Sequence, residues 1–187
     1  MSVFRCYSQK MPGFDVEAQG MCKALQEQLG IAGLKSVAIL NRYDADQIDP
    51  AVYEQAKGIV FSEPMVDVVY DETFPATDAV VLAVEALPGQ FDQRADSCAQ
   101  CIQLMAGVER PLIAYAKVYL LEGELSEADL TAIRGYLINP VESREASMDK
   151  PETLVRTYDI PTSVATVTGF TAMDEAALAS LLSDLGL

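Results

Sequence analysis

The chain has 187 residues, half of them apolar, and a net charge of −15. That length can bury a real core in one domain or a tight pair of units, and the acidic balance argues against nucleic acid or an anionic membrane surface, since both need a basic face. There is no histidine, which removes the usual general base near neutral pH, the Ser-His and Cys-His nucleophile systems, and most zinc and non-haem iron sites.

No apolar run reaches 18 residues, so no membrane span is expected. Met1 to Arg5 lacks the apolar core of a signal peptide. Four cysteines in a chain of this class suit a reducing cytoplasm, the expected location.

Val3 to Ser8 predicts a strand. Asp15 to Leu29 predicts a helix with Ala18, Met21, Cys22, Leu25 and Leu29 on one face, stopped by Gly30. Leu34 to Tyr43 predicts a second strand. Asp49-Pro50 opens a second helix, Asp as cap and Pro in the first turn, with Val52, Ala56, Ile59 and Val60 as its buried stripe. Met65 to Tyr70 is a third strand, and Asp71 to Asp78 a linker. The order then recurs: a strand over Val80 to Ala86, a helix over Gln93 to Met105, a strand over Ile113 to Leu121, and a helix opened by Ser126 and Asp129 in a capping pattern. Val141 to Ser147 is nearly all polar, so an edge strand and a loop are equally expected.

Asp149 to Pro161 reads as linker, Thr162 to Thr168 as a short strand, and Thr171 to Leu185 as a capped helix with Ala177, Leu178, Leu181, Leu182 and Leu185 apolar. So apolar a helix at the end of the chain suggests that partner elements follow in a longer protein.

The stretch from Leu87 to Ser97 organises this reading. Pro88-Gly89 breaks a strand, Asp92 is placed to cap the next helix, and Phe91 is placed to pack back on it as a hydrophobic staple. Met11 to Gln19 repeats the device, with Pro12-Gly13 and Phe14-Asp15 about 76–77 positions earlier. Ala56-Lys57-Gly58 likewise matches Ile133-Arg134-Gly135, and Phe61 to Pro64 matches Leu137 to Pro140 with one residue of slippage. Residues 1–150 therefore read as a tandem, pseudo-symmetric repeat, 1–75 and 76–150, of a β-α-β-α-β unit, with 151–187 as the start of a linker segment. The expected class is α+β, two ferredoxin-like units that pack through their sheets or pair at their edges.

Little of the chain carries chemistry of its own. Cys98-x-x-Cys101 is the one textual metal or redox motif. Cys98 falls on the apolar stripe well inside its helix, which favours a core thiol. Gln90, Phe91, Asp92, Gln93 and Arg94 form the turn of least ordinary composition and are the candidate inter-domain contact. The other readings are an anion held by the helix N-terminus and Arg94, or plain turn chemistry with Arg94 on a neighbouring carboxylate. Glu122 and Glu124 read as an exposed turn, and Glu142 to Asp149 as a solvated edge. No phosphate-binding glycine loop is present. No catalytic, cofactor-binding or metal-ligating residue is assigned.

Five runs in order carry a resemblance: Lys10 to Ala18, Leu40 to Asp44, Val60 to Pro64, Leu87 to Ser97, and Tyr136 to Ala146. Together they resemble the N-terminal part of the large single-chain phosphoribosylformylglycinamidine (FGAM) synthases, over nearly all of the chain. That part of the family resembles a fused dimer of the small subunit of the multi-component enzyme, which an internal repeat would satisfy. The resemblance implies a parent ligase that uses ATP and magnesium, with glutamine as nitrogen source, to make formylglycinamidine ribonucleotide in purine biosynthesis. It implies synthetase and glutaminase domains as partners, no cofactor in these residues, and no activity in them alone. A free-standing module that bridges separate synthetase and glutaminase subunits is the alternative, and self-association through the partner's surface stays open. A self-sufficient small enzyme is the third reading and the least supported.

Overall fold

In the computed structural model, which describes residues 2–157, 160, 162–164 and 166–186, residues 1–155 and 156–187 form two separate units. The first contains β1 (Phe4–Lys10), α1 (Val16–Gln28), β2 (Leu34–Asp46), α2 (Pro50–Ile59), β3 (Asp67–Asp71), β4 (Val80–Ala86), α3 (Gln93–Ala106), β5 (Leu112–Gly123), α4 (Glu127–Leu137) and β6 (Ser143–Glu145). The strands make one sheet in the order β3-β1-β2-β5-β4-β6, antiparallel at every pairing. The class is α+β. The two halves meet edge to edge, through β2 and β5.

Local chemistry sets the helix starts. The Asp49 side chain accepts from Ala51 N at 2.8 Å, ahead of Pro50. Asp92 accepts from Ala95 N at 3.0 Å, and Ser126 with Asp129 forms a reciprocal capping box. Each satisfies amides that a helix N-terminus leaves without partners.

The pairing register repeats. Phe4 faces Ala45 and Gln9 faces Leu40 across β1 and β2; 76 positions on, Val80 faces Leu121 and Glu85 faces Ala116 across β4 and β5. Lys10 faces Asp67 in the first half, and Ala86 faces Ser143 in the second. The Pro-Gly turns match as well. Phe14 N donates to Met11 O and Gln90 N to Leu87 O, both at 3.0 Å. Gly13 and Gly89 take φ of 90° and 91°, in the left-handed region where a side chain is strained. Phe91 is thus an extra residue in the second turn, which is why the helices that follow stand at an offset of 77.

One face of the sheet carries the helices. Leu25 of α1 and Ile133 of α4 share one core cluster with Ile39 and Leu121. Tyr53 and Ala56 of α2 share a second with Cys98 and Ile102 of α3 and with Tyr43. Each cluster draws on both halves of the chain, and burying a side chain such as Leu25 contributes about 2 kcal/mol.

The other face packs Tyr7, Leu40, Ala83, Ala116 and Val118 under the segments that follow β3 and β6. Phe74 meets Tyr7 edge to face with centroids 5.1 Å apart. Arg5, Arg42 and Asp44 are buried here too. Arg5 grips Asp44 through Nε (2.5 Å) and Nη2 (2.8 Å) and donates to Met148 O at 2.6 Å. Arg42 donates to Ser147 O at 2.7 Å. The residues after β6 are therefore strapped across the sheet by guanidinium groups.

In residues 156–187, a 3₁₀ turn (Phe170–Ala172) precedes α5 (Glu175–Asp184), whose cap is Asp174, accepting from Ala177 N at 2.9 Å. No α5 residue is buried within this unit.

Three expectations need correction. Ile59 is 68% exposed, and Tyr53 takes its place in the core, because α2 turns its Tyr53–Ala56 side to the sheet. Phe91 is 75% exposed and does not staple the helix, because the turn holds it outward, as the first turn holds Phe14 at 55%. No strand forms among the described residues of 162–168; Ala165 lies outside them.

Candidate functional site

The helix face of the sheet holds two clefts, lined at several places by residues 76 positions apart. The first, of about 510 Å³, lies beside the Pro12-Gly13 turn and the start of α1, over Ser8, Asn41 and Tyr43. The second, of about 710 Å³, lies beside the Pro88-Gly89 turn and the start of α3, over Val84, Lys117 and Tyr119. Ser8 and Val84, Asn41 and Lys117, and Tyr43 and Tyr119 are pairs 76 positions apart, so one place in the fold is filled twice with different side chains.

The five candidate contact residues, Gln90 to Arg94, all line the second cleft. The fold brings them together because the turn and the first turn of α3 are one continuous rim. Gln90 Nε2 donates to Val141 O at 3.2 Å. Asp92 is occupied by its capping bond. Arg94 pairs with no carboxylate among the described residues. Its Nη1 instead donates to Tyr43 Oη at 3.0 Å, and its guanidinium lies 5.1 Å from the centre of the Tyr115 ring. This cation–aromatic contact leans Arg94 toward the middle of the sheet, so that it lines both clefts.

Between the clefts, Tyr115 Oη donates to Asn41 Oδ1 at 2.7 Å, and Lys117 bonds Glu17 Oε1 at 2.5 Å. Burial pushes the Tyr43 phenol above its ordinary pKa and the Tyr119 phenol up to about 12, so both are neutral hydroxyls near neutral pH. Lys10 reaches Glu63 at 2.7 Å and Asp67 at 3.1 Å; the Glu63 bond foremost holds its pKa above the ordinary lysine value.

The outer rims are apolar and exposed. Phe14 and Met65 flank the first cleft's turn, and Phe91 and Val141 the second's; Met65 and Phe91 are 87% and 75% exposed. Met11 N bonds Val66 O at 2.8 Å and Leu87 N bonds Glu142 O at 2.9 Å, which ties each Pro-Gly turn to the segment that carries its second apolar residue. Sequence reasoning missed Met65, Val141 and Tyr43. The 76-residue offset, applied past the turns, would have found the first two.

Cys98 and Cys101 diverge. Cys98 is buried, and burial pushes its thiol up to about 11, while Cys101 is exposed on the far side of α3. Among the described residues, no group of three or more His, Cys, Asp or Glu side chains is placed to hold a metal ion. No helix among them is long and apolar enough to cross a membrane. The arrangement offers polar grooves with exposed apolar rims, the makings of a docking surface. Compared with known protein families and with curated proteins, the chain finds no match in either.

Proposed function

We propose that the chain is the N-terminal, small-subunit-like domain of an FGAM synthase, in which two ferredoxin-like units are fused and act as a scaffold. The observation that carries this reading is the register: all six β1–β2 pairings recur 76 positions later in β4–β5, and three of the five β1–β3 pairings recur in β4–β6. A fused dimer of one subunit requires that. The five ordered motifs supply the family, and the second Pro-Gly turn among them lies on the rim of a cleft.

In this reading the domain carries no catalytic residue. It docks against the synthetase and glutaminase domains in the cytoplasm, and Gln90, Phe91, Asp92, Gln93 and Arg94 form part of the contact. ATP, magnesium and glutamine belong to those partners. Phe91, exposed at the tip of the rim, is the natural anchor, since a large apolar side chain held out into water gains most by being covered.

The test is reconstitution. An FGAM synthase polypeptide without its N-terminal region is mixed with this chain and assayed for ATP- and glutamine-dependent formation of the amidine. Restored activity, reduced at least tenfold by Phe91→Asp, supports the proposal. A chain that neither binds the truncated synthase nor restores turnover overturns it.

A further inference from the structure

Exposed apolar side chains scattered singly over a surface are ordinary. Six of those in this chain are not scattered. Phe14 and Phe91 stand 77 positions apart, Ile59 and Tyr136 77, and Met65 and Val141 76, and all six are exposed. The members of each pair occupy matching places: the residue before the cap of α1 or α3, the last turn of α2 or α4, and the loop that follows that helix. Leu104 is the contrast. It is 83% exposed on α3, and the residues 76 and 77 positions before it are Gln28 and Glu27.

The backbone gathers each set. The loop after α2 is bonded to the first Pro-Gly turn through Met11 N and Val66 O, and the loop after α4 to the second through Leu87 N and Glu142 O. Turn, loop and helix end thus form one apolar patch in each half. Pro12 and Ile59 of the first patch line the first cleft, and Phe91 of the second lines the second.

The polar surroundings are acidic. Four carboxylates and two cations line the first cleft, and three carboxylates and two cations the second, with Arg94 counted in both. The cations are engaged: Lys10 by Glu63 and Asp67, Lys117 by Glu17, and Arg94 by Tyr43 and the Tyr115 ring. Three carboxylates beside the patches bond only neutral donors among the described residues. Asp15 accepts from Gly13 N and Gln19 Nε2, Asp92 from Ala95 N, and Glu142 from Asn139 Nδ2. The charge left uncompensated at both patches is negative.

We infer that the two patches dock a basic protein segment, in which a large apolar side chain lies between lysines or arginines. The apolar side chain covers the exposed tips, and the flanking cations meet the carboxylates beside them. A second copy of this chain is the wrong occupant, because it brings the same carboxylates and a net charge of −15, like against like. A phosphate-bearing partner is repelled for the same reason. The inference shares Phe91 with the contact proposed above, but it rests on the chemistry of the patches and holds whatever family the chain belongs to.

The experiment uses two short synthetic peptides of equal charge, one of leucine and lysine and one of serine and lysine. Each is titrated into the 187-residue chain at physiological salt and followed by amide NMR. The leucine peptide should bind about tenfold or more tightly than the serine peptide, with saturable shifts at Ile59 and Met65 and at Tyr136 and Val141. Phe14→Ser with Met65→Ser should abolish the shifts at Ile59 and spare the second set. Phe91→Ser with Val141→Ser should abolish those at Tyr136 and spare the first. Leu104→Ser should change neither. All five substituted side chains are exposed, so the core does not depend on them. Equal affinity for the two peptides would reduce the effect to net charge and overturn the inference, as would shifts that persist at a patch whose apolar pair has been replaced. Sedimentation of the chain alone gives the remaining outcome: a dimer that Met65→Ser dissociates would assign the patch to a second copy and overturn the inference too. No synthase is present in the titration, so its failure and a failure of reconstitution are separate results.

Discussion

Asn41 and Lys117 face each other across β2 and β5, and each is the other's counterpart 76 positions along the chain. A pseudo-twofold axis therefore passes between them, through the middle of the sheet. It relates Glu17 at the start of α1 to Arg94 at the start of α3, and these two side chains reach the centre from opposite sides. The centre is the least symmetric part of the unit in chemistry. Glu17 pairs with Lys117, whereas Arg94 settles on Tyr43 and Tyr115. The two halves share a pairing register and differ most in their side chains where they meet.

If the Pro-Gly turns are equivalent, they should respond alike to the same change. A Cβ at Gly13 or Gly89 would meet no atom within 4 Å, so the cost of alanine there is the left-handed backbone alone. That cost is about 1–2 kcal/mol. Urea unfolding should give Gly13→Ala and Gly89→Ala the same loss within about 0.5 kcal/mol, with the double variant close to their sum.

The Arg5–Asp44 pair has both side chains 3% exposed. Removing one charge from such a pair leaves the other buried and unanswered, which costs about 3–5 kcal/mol. Asp44→Ala should be the more harmful change, because it deprives Arg42 as well, whose Nε lies 3.6 Å from Asp44 and has no hydrogen bond. Replacing both residues, as Arg5→Met with Asp44→Leu, should cost less than Asp44→Ala alone. Denaturant titration of the three variants measures this; a double variant less stable than Asp44→Ala would contradict it.

The strands and helices of residues 1–150 were legible because their local signals agree: apolar spacing, Asp49-Pro50, Asp92, the Ser126–Asp129 box and the paired Pro-Gly turns. Gln90 to Arg94 was legible as a strand-to-helix turn for the same reason. The second face of the sheet was not. Arg42, Asp44 and Asp46 look like a polar strand end, and they are buried only because Arg5, 39 residues away, and the carbonyls of 147–149 arrive from elsewhere. No local pattern encodes such a pairing. The first cleft was hidden for a related reason: Ser8, Asn41 and Arg94 come from three different elements, and only the sheet order brings them to one place.

Asp46 makes the strap sensitive to acid. Burial opposes its charge, but bonds from Leu154 N (2.8 Å), Thr153 Oγ1 (2.7 Å) and Gln47 N (2.8 Å) outweigh that and hold its carboxyl below the ordinary value. A depressed folded value means that the contribution is whole above about pH 4, where the unfolded carboxyl ionises, and is lost as pH falls through the folded value. Asp46→Asn should therefore cost about 1–3 kcal/mol at neutral pH and progressively less below about pH 4. Urea titrations of both proteins along that pH series test it; a difference that does not shrink in acid would refute the assignment.

The cysteines should separate cleanly by reactivity. Burial pushes the Cys6 thiol up to about 12 and the Cys98 thiol up to about 11, so at pH 8 their thiolate populations are on the order of one in a thousand or less. Cys101 is exposed on the outer side of the same helix, one turn from Cys98. Iodoacetamide at pH 8 should therefore label Cys101 in the folded protein and reach Cys6 and Cys98 only after unfolding, as read by mass spectrometry of the digested chain. The same divergence predicts that adding zinc leaves the folded protein's melting temperature unchanged, because Cys98 and Cys101 do not point at a common centre. Labelling of Cys98 at the rate of Cys101, or stabilisation by zinc that Cys101→Ser abolishes, would show instead that the two thiols act together.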